Sequence, residues 1–101
     1  MIFIENRRIE LKREMNETVE RAIVAFLNSH NGVIYIGVED NWTINGVEKL
    51  DKVMKKIADI KVNNILHSCQ ELINISAKYV KGRMIIEIQV KKGRVLYYIK
   101  K

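Results

Sequence analysis

The sequence predicts an α+β domain: a mixed β-sheet with two helices packed on one face, in the order β-α-β-α-β-β-β. Three observations predict this class. Two segments carry apolar residues at helical spacing, other segments alternate or are rich in β-branched residues, and most strand-like segments follow the second helix. A chain of 101 residues is long enough for one hydrophobic core, so we expect a single domain over residues 1–101.

The first strand and the first helix follow from their apolar spacing. Residues 7–14 alternate, with Ile9 and Leu11 on one side and charged residues on the other, which predicts a half-buried strand. Asn16 is a suitable N-cap for the next segment, and acidic residues follow it in the first turn. The apolar stripe of this helix consists of Val19, Ile23, Phe26 and Leu27.

The segment after this helix combines polar residues, a glycine and an apolar run. We expect the helix to end between Asn28 and Gly32, with Asn28 bonding to nearby backbone and Gly32 serving as a C-cap or turn residue. Residues 33–38, V-I-Y-I-G-V, predict a central strand covered on both faces. The order helix, glycine, strand is the reverse of a phosphate-binding loop, so ATP binding is not expected.

The second half begins with a turn at Asn45-Gly46 and a helix from about Leu50. Its inward residues are Leu50, Val53, Ile57 and Ile60. We expect the helix to end between residues 65 and 69, with Cys69 as a packing residue at its end. Three strands follow, over 73–79, 84–91 and about 95–99, separated by turns at Lys81-Gly82 and Lys92-Gly93.

Positive charge is concentrated in the last part of the chain. Residues 78–101 carry a net charge of +7, whereas residues 1–77 carry −1. A concentrated basic region indicates a polyanionic partner, most often nucleic acid, and the alternative is a solvated surface. Basic residues near tyrosines are also suited to nucleic acid, because the cations can contact its phosphate backbone while the aromatic rings stack on its bases. The candidate nucleic-acid contacts are Arg7, Arg8, Lys12, Arg13, Lys91, Lys92, Arg94 and Tyr97, with Tyr98 as the alternative to Tyr97.

Other features indicate where the protein works. No apolar run reaches the 18 residues of a membrane span, and the segment after Met1 lacks the order of a signal peptide. A lone cysteine forms no internal disulfide, which fits a cytoplasmic protein. Two histidines and one cysteine do not support a zinc site, and no cofactor is expected.

The segments R-R-I-E-L-K, A-F-L-N-S-H-N-G-V-I-Y-I-G-V-E-D and I-N-G-V, followed by Gly93 and L-Y-Y, occur in this order between about Glu5 and Tyr98. Together they resemble the Schlafen AlbA-like family, formerly described as divergent ATPases. That pattern reads approximately E-S-x-x-x-E-F-K, A-F-A-N-T-x-G-G, I-G-V-[DE]-[DE], I-x-G and P-Y-Y. This chain departs from it at Asn31, at Trp42, where glycine is common, and at Leu96, which replaces proline.

The resemblance implies two kinds of activity. Prokaryotic members are regarded as nucleic-acid-binding modules, commonly in transcriptional regulators. Vertebrate members include endoribonucleases whose three carboxylates hold a divalent metal ion. Their counterparts here are Glu5, Glu10 and either Glu39 or Asp40, and the ion would be Mg²⁺ or Mn²⁺. The alternative is that these carboxylates have only a structural role: Glu10 pairs with neighbouring cations, and Asp40 forms a turn.

Three hypotheses follow. The first is a small nucleic-acid-binding domain, directed at phosphates, that uses the C-terminal basic segment and the first strand. The second is a metal-dependent endoribonuclease with Glu5, Glu10 and Glu39 or Asp40 as ligands. The third is a homo-oligomeric interaction domain, with Trp42 and the tyrosines in the interface between two copies. We expect nucleic acid and a second copy of the chain as partners, and no membrane.

Overall fold

A computed structural model describes residues 8–100 of the chain. Its helices and strands are β1 (Ile9–Lys12), α1 (Glu17–Ser29), β2 (Gly32–Ile36), α2 (Leu50–Asp59), β3 (Ile65–Leu66), β4 (Ile73–Val80), β5 (Arg83–Val90) and β6 (Tyr98–Ile99). A π-helical turn, Ile60–Asn64, continues α2, and a 3₁₀ turn, Gln70–Leu72, precedes β4. The predicted α+β class and the order of the main elements are confirmed. The two-residue β3 is an addition to that order.

The main sheet has four strands in the order β1-β2-β5-β4. Strands β1 and β2 are parallel, as their connection through α1 allows, and the other two pairs are antiparallel. Gly32 at the start of β2 pairs with Val90 at the end of β5, and Ile36 pairs with Ile86. Residues that follow β5 therefore lie at one end of the sheet. Residues that follow β1 and β2 lie at the other end.

Both helices pack on the same face of this sheet, as predicted. The four predicted stripe residues of α1 are buried, and α2 contributes Ile57 to the same core. From the sheet, Ile34, Ile36 and Ile88 are completely buried beneath the helices. Asn16 caps α1 as expected, because its side chain accepts a hydrogen bond of 2.9 Å from the backbone N–H of Thr18.

The opposite face of the sheet carries a second, smaller apolar cluster. Leu11, Val38 and Ile85 are buried in it, and Tyr35 and Trp42 pack around them. No helix among residues 8–100 belongs to this cluster. The prediction that β2 is covered on both faces therefore holds fully on the helix face and only in part on the other. Its side chains alternate between buried and half-buried, because only the loop after β2 covers the second face.

Two predictions about the end of α1 were wrong. Gly32 is the first residue of β2 and does not have a positive φ, so it is neither a C-cap nor a turn glycine. Glycine is required there because a Cβ at this position would collide with the ring of Phe26. Asn28 does not bond to nearby backbone. Its side-chain amide bonds to the backbone of Tyr97, which is 69 positions away in the sequence.

The C-terminal third also differs from the prediction in two places. The last strand is only Tyr98–Ile99, and it pairs with β3 in a separate two-stranded sheet. Cys69 lies in the loop after β3 and not at a helix end, although it is buried as expected of a packing residue. In the part of the chain that the structure describes, neither helix is long and apolar enough to cross a membrane.

Candidate nucleic-acid interface

Three of the predicted contact residues, Lys91, Lys92 and Arg94, follow β5 directly and are exposed to solvent. They border an open groove of about 690 Å³, whose other wall is formed by residues 68–72. We call it the basic groove. Among residues 8–100, no carboxylate pairs with any of these three cations. Their charge is therefore available to an anionic ligand.

Backbone hydrogen bonds hold the basic groove against α1. The N–H of Gly93 donates to the carbonyl of Leu27 at 2.9 Å, just before the end of the helix. The N–H of Lys92 donates to the side-chain carbonyl of Asn31 at 2.8 Å. Because both donors belong to the cationic segment itself, this segment has a defined position relative to the sheet although its side chains face water.

Tyr97 anchors the far end of the same segment. Asn28 accepts a hydrogen bond of 2.8 Å from the Tyr97 N–H and donates one of 2.9 Å to its carbonyl. The ring of Tyr97 lies over Gly93, where any Cβ would collide with it, and the residue is only 6% exposed. The prediction that Tyr97 stacks on a base does not fit this placement, which favours packing. Tyr98, at 49% exposed, is the more accessible ring.

The predicted contact residues of the first strand do not all lie beside the basic groove. The carbonyl of Arg8 accepts a hydrogen bond of 2.7 Å from the N–H of Val33, so Arg8 lies at the groove end of the sheet. Lys12 pairs with Ile36, which is at the opposite end, and Arg13 follows it. The residues predicted as one contact surface therefore lie at two ends of the sheet, with Arg8 at one end and Lys12 and Arg13 at the other. Arg7 lies outside the described residues.

Lys12 and Arg13 also have acidic neighbours. The ammonium group of Lys12 is 3.8 Å from the carboxylate of Glu10, and the guanidinium of Arg13 is 3.9 Å from that of Glu39. Both pairs are at least partly exposed to solvent, so each contributes little to stability. They nevertheless reduce the net positive charge at this end of the sheet.

The structure describes two of the three carboxylate positions of the nuclease hypothesis, Glu10 and Glu39 or Asp40. Glu10 pairs with Ile34 from the edge strand β1, on the face that carries the helices. Asp40 lies in the turn after β2. Trp42, in the same turn, packs on the face of the sheet opposite to the helices. No group of three carboxylate, histidine or cysteine side chains suited to a metal ion occurs in residues 8–100. The remaining predicted ligand, Glu5, lies outside that range.

A feature that the sequence analysis did not identify as a site lies on the face without helices. Tyr35 and Trp42 form two walls of a cavity of about 270 Å³, with ring centroids 6.4 Å apart and planes inclined at 59°. We call it the aromatic cavity. Its remaining lining residues are Val38, Ile44, Lys78, Tyr79, Val80, Ile85 and Glu87. The strict alternation in β5, which puts Ile85 and Glu87 opposite the helices, is the sequence signal that could have located it.

Polar groups line one side of the aromatic cavity. The carboxylate of Glu87 lies 4.0 Å from the ammonium group of Lys78, and its side chain is only 13% exposed. Burial raises the pKa of Tyr35 from 10.0 to about 12, and the negative charge of Glu87 together with a hydrogen bond to it adds to this effect. Tyr35 is therefore a neutral phenol at physiological pH, and Glu87 is its hydrogen-bond partner.

Further cations lie at the turn between β4 and β5, near the aromatic cavity. Lys81 and Gly82 both have positive φ, of 49° and 79°, as the predicted tight turn requires. Lys78, Lys81 and Arg83 are exposed around this turn. They were counted in the basic C-terminal charge but were not predicted as contacts. The structure places them at the end of β5 opposite to the basic groove.

Comparison with known proteins identifies the family of the chain. Residues 5–101 match the family described as Schlafen, AlbA_2. The chain belongs to this family. The match covers nearly the whole sequence, and it confirms the resemblance that the ordered motifs indicated.

Two solved structures show the same fold. The first is the N-terminal domain of a protein from Nitrosomonas europaea whose name relates it to the ATP-dependent DNA helicase RecG. It has 22% identity and a TM-score of 0.77, and the match covers 96% of this chain and 72% of that one. The second is the DIP2311 protein from Corynebacterium diphtheriae, with 17% identity, a TM-score of 0.68 and 90% of this chain covered. This chain spans 19% of that protein's length. The search of curated proteins found no match.

Proposed function

We propose that this chain is a nucleic-acid-binding domain that contacts the sugar-phosphate backbone of DNA or RNA through the basic groove. The observation that carries the proposal is the set of three exposed cations, Lys91, Lys92 and Arg94, without a carboxylate partner among residues 8–100. Lysine and arginine side chains of this kind bind phosphates by charge and by hydrogen bonds, with little dependence on the base sequence.

The position of the groove supports the proposal. Hydrogen bonds from Lys92 and Gly93 to residues of the α1 end fix the backbone of the cationic segment before any ligand binds. Binding therefore does not require ordering of this backbone, which would lower the affinity. Arg8 is exposed at the same end of the sheet.

A second group of cations extends the surface along β5. Lys78, Lys81 and Arg83 lie at its far end, and a strand of eight residues spans roughly 26 Å. A nucleic-acid strand that follows the sheet could contact both groups. The structural relative whose name refers to a DNA helicase is consistent with DNA as one ligand. A role in transcriptional regulation and a cytoplasmic location remain part of this proposal.

The test is a salt series of fluorescence anisotropy with a labelled single-stranded oligonucleotide. We expect the triple substitution Lys91→Gln, Lys92→Gln, Arg94→Gln to weaken binding at least 10-fold. It should also reduce the slope of log K against log salt by about 2, because three fewer phosphates are neutralised at about 0.7 per contact. A matched control is the substitution of three exposed lysines of α2, Lys52, Lys55 and Lys56, by glutamine.

Both triple variants remove the same charge, so the comparison separates a local contact from the effect of net charge. If the two variants lose affinity equally, binding is non-specific attraction to a basic protein and the groove is not the site. If the wild-type protein causes no change in anisotropy at low salt with DNA or RNA, the proposed function fails.

The two alternatives can be followed in the same samples. For the nuclease alternative, Mn²⁺ would cause a time-dependent loss of anisotropy that Glu10→Ala abolishes, and Glu5 would have to complete the metal site. For the homodimer, the exposed side chains of Val95, Leu96 and Tyr98 are the surface we propose, and Leu96 is 72% exposed. Sedimentation of the wild-type chain and of Leu96→Asp measures it, since a dimer formed there would dissociate in the variant.

A further inference from the structure

The aromatic cavity has the size and the walls of a site for one flat ring. Its volume of about 270 Å³ is just below the range of roughly 300 to 1,000 Å³ that is usual for drug-sized ligands. The rings of Tyr35 and Trp42 supply two of its walls, and Val38 and Ile85 supply apolar contacts between them. Aromatic side chains beside a cationic surface are typical of sites where unstacked bases bind.

The backbone at Trp42 indicates that the position of its ring matters. Trp42 has a φ of 67°, in the left-handed region that favours glycine, and this costs about 1 kcal/mol for a residue with a side chain. The turn itself is closed by the hydrogen bond of 2.8 Å from the Trp42 N–H to the carbonyl of Glu39. A glycine would form the same turn without strain. The tryptophan at this position therefore adds a ring against Tyr35 at an energetic cost.

A carboxylate with low exposure distinguishes this cavity from a purely apolar one. Glu87 is 13% exposed and accepts a hydrogen bond of 3.1 Å from the side-chain amide of Gln89. Lys78, whose ammonium group is 4.0 Å away, lies at the same wall and is half-exposed. A carboxylate accepts hydrogen bonds from the exocyclic amino group of cytosine, whereas uracil presents a carbonyl at that position.

We propose that the aromatic cavity binds one unstacked nucleobase that bears an exocyclic amino group, with Glu87 accepting from that group and Trp42 contacting the ring. Lys78 and the neighbouring Lys81 and Arg83 would hold the flanking phosphates. The inference rests on the proposed function and adds a base preference to it. An apolar side chain from a second copy of the chain would fill the cavity without using Glu87. The base is favoured because the carboxylate complements its amino group and the neighbouring cations complement the flanking phosphates.

The protein contains its own reporter, because Trp42 is the single tryptophan of the sequence. The probes are unlabelled octamers of deoxycytidine and of deoxyuridine at neutral pH, which differ in the group that faces Glu87. We expect saturable quenching of Trp42 emission by the cytosine octamer and a roughly 10-fold weaker effect of the uracil octamer. The monophosphates of cytidine and uridine should show the same order at lower affinity.

Two variants test the assigned roles. Glu87→Gln should reduce the preference for cytosine to about 2-fold or less, because an amide can also donate a hydrogen bond to the carbonyl of uracil. Its control is Glu48→Gln, which removes an equal charge from an exposed side chain outside the groove and the cavity and should preserve the preference. Trp42→Leu, followed by anisotropy of labelled octamers, should weaken binding of the cytosine octamer roughly 5- to 100-fold if its ring stacks on the base.

The outcomes separate this inference from the proposed function. Equal binding of both octamers to the wild-type protein, with unchanged Trp42 emission, would overturn the base site and leave the phosphate contacts intact. Quenching by cytidine monophosphate without binding of either octamer would support the base site and reject the nucleic-acid function. Trp42 emission that changes with protein concentration and with no nucleotide would show that a second copy covers the cavity, and would also overturn the inference.

Discussion

The basic groove and the aromatic cavity lie at opposite ends of β5 and are built in opposite ways. In the groove the ring is buried and the cations face water, because Tyr97 packs on Gly93 while Lys91, Lys92 and Arg94 remain exposed. In the cavity the rings line an open site.

The cations also differ between the two regions. At the cavity, Lys78 lies beside the carboxylate of Glu87, whereas the cations of the groove have no such partner among the described residues. The two regions of one sheet therefore present different chemistry: exposed cations in the groove, and aromatic rings beside a carboxylate in the cavity. Substitutions in one region are therefore expected to leave the other unchanged.

The largest effect is expected for Gly93→Ala, compared with Gly82→Ala at the other end of β5. A Cβ at position 93 would enter the Tyr97 ring, and overpacking of this kind costs about 3 kcal/mol of unfolding free energy. At position 82 the nearest atom is 3.9 Å from the added Cβ, so only the positive φ of 79° opposes alanine, at about 1 kcal/mol. Urea unfolding measures both. Equal losses would mean that the Tyr97 ring does not pack as described.

The next largest effect is expected for Asn28→Ala, which removes both hydrogen bonds to the Tyr97 backbone. At about 1 kcal/mol for each bond, the variant should lose about 2 kcal/mol of unfolding free energy. Ser29→Ala is the control, since its hydroxyl makes one exposed bond within α1 and should cost less than about 0.5 kcal/mol.

Asn28→Ala should also alter the basic groove while leaving the aromatic cavity unchanged. The cationic segment loses its anchor, so oligonucleotide affinity should fall, whereas the emission of the folded protein from Trp42 should stay as in the wild type. A shifted emission spectrum would show that the two ends of the sheet are coupled.

The smallest effect concerns the pH dependence of the aromatic cavity. Burial and Glu87 raise the pKa of Tyr35 from 10.0 to about 12, so the fold favours the neutral phenol. The contribution to stability is fully present below pH 10, and it is lost as the pH rises through about 12. The phenolate absorbance of the wild type minus that of Tyr35→Phe gives this transition. Glu87→Gln should lower the pKa of Tyr35, though burial should keep it above 10.0. An unchanged midpoint would show that Glu87 does not act on this ring.

The elements themselves were largely predictable from local patterns. The helical spacing of Val19, Ile23 and Phe26 and the alternation through β5 reflect the periods of helix and strand, which the sequence shows directly. The cap at Asn16 and the turn at Lys81-Gly82 depend on a few adjacent residues and were also correct. The ordered motifs indicated the family to which the chain belongs.

What the sequence could not show depends on contacts between distant residues. Asn28 and Tyr97 meet across 69 positions. The rings that require glycine at positions 32 and 93 belong to Phe26 and Tyr97, only six and four positions away, but the sequence does not show that these rings fold back over them. The grouping of cations was likewise decided by strand register, which places Arg8 near the groove and Lys12 at the far end.

The sequence by itself determined the class, the core-facing stripes and the excess of positive charge, because these depend on composition and on short periods. Only the tertiary structure decided which cations and which rings share a surface. That choice depends on how parallel and antiparallel strands are paired, and pairing is set by packing of the whole core rather than by any one segment.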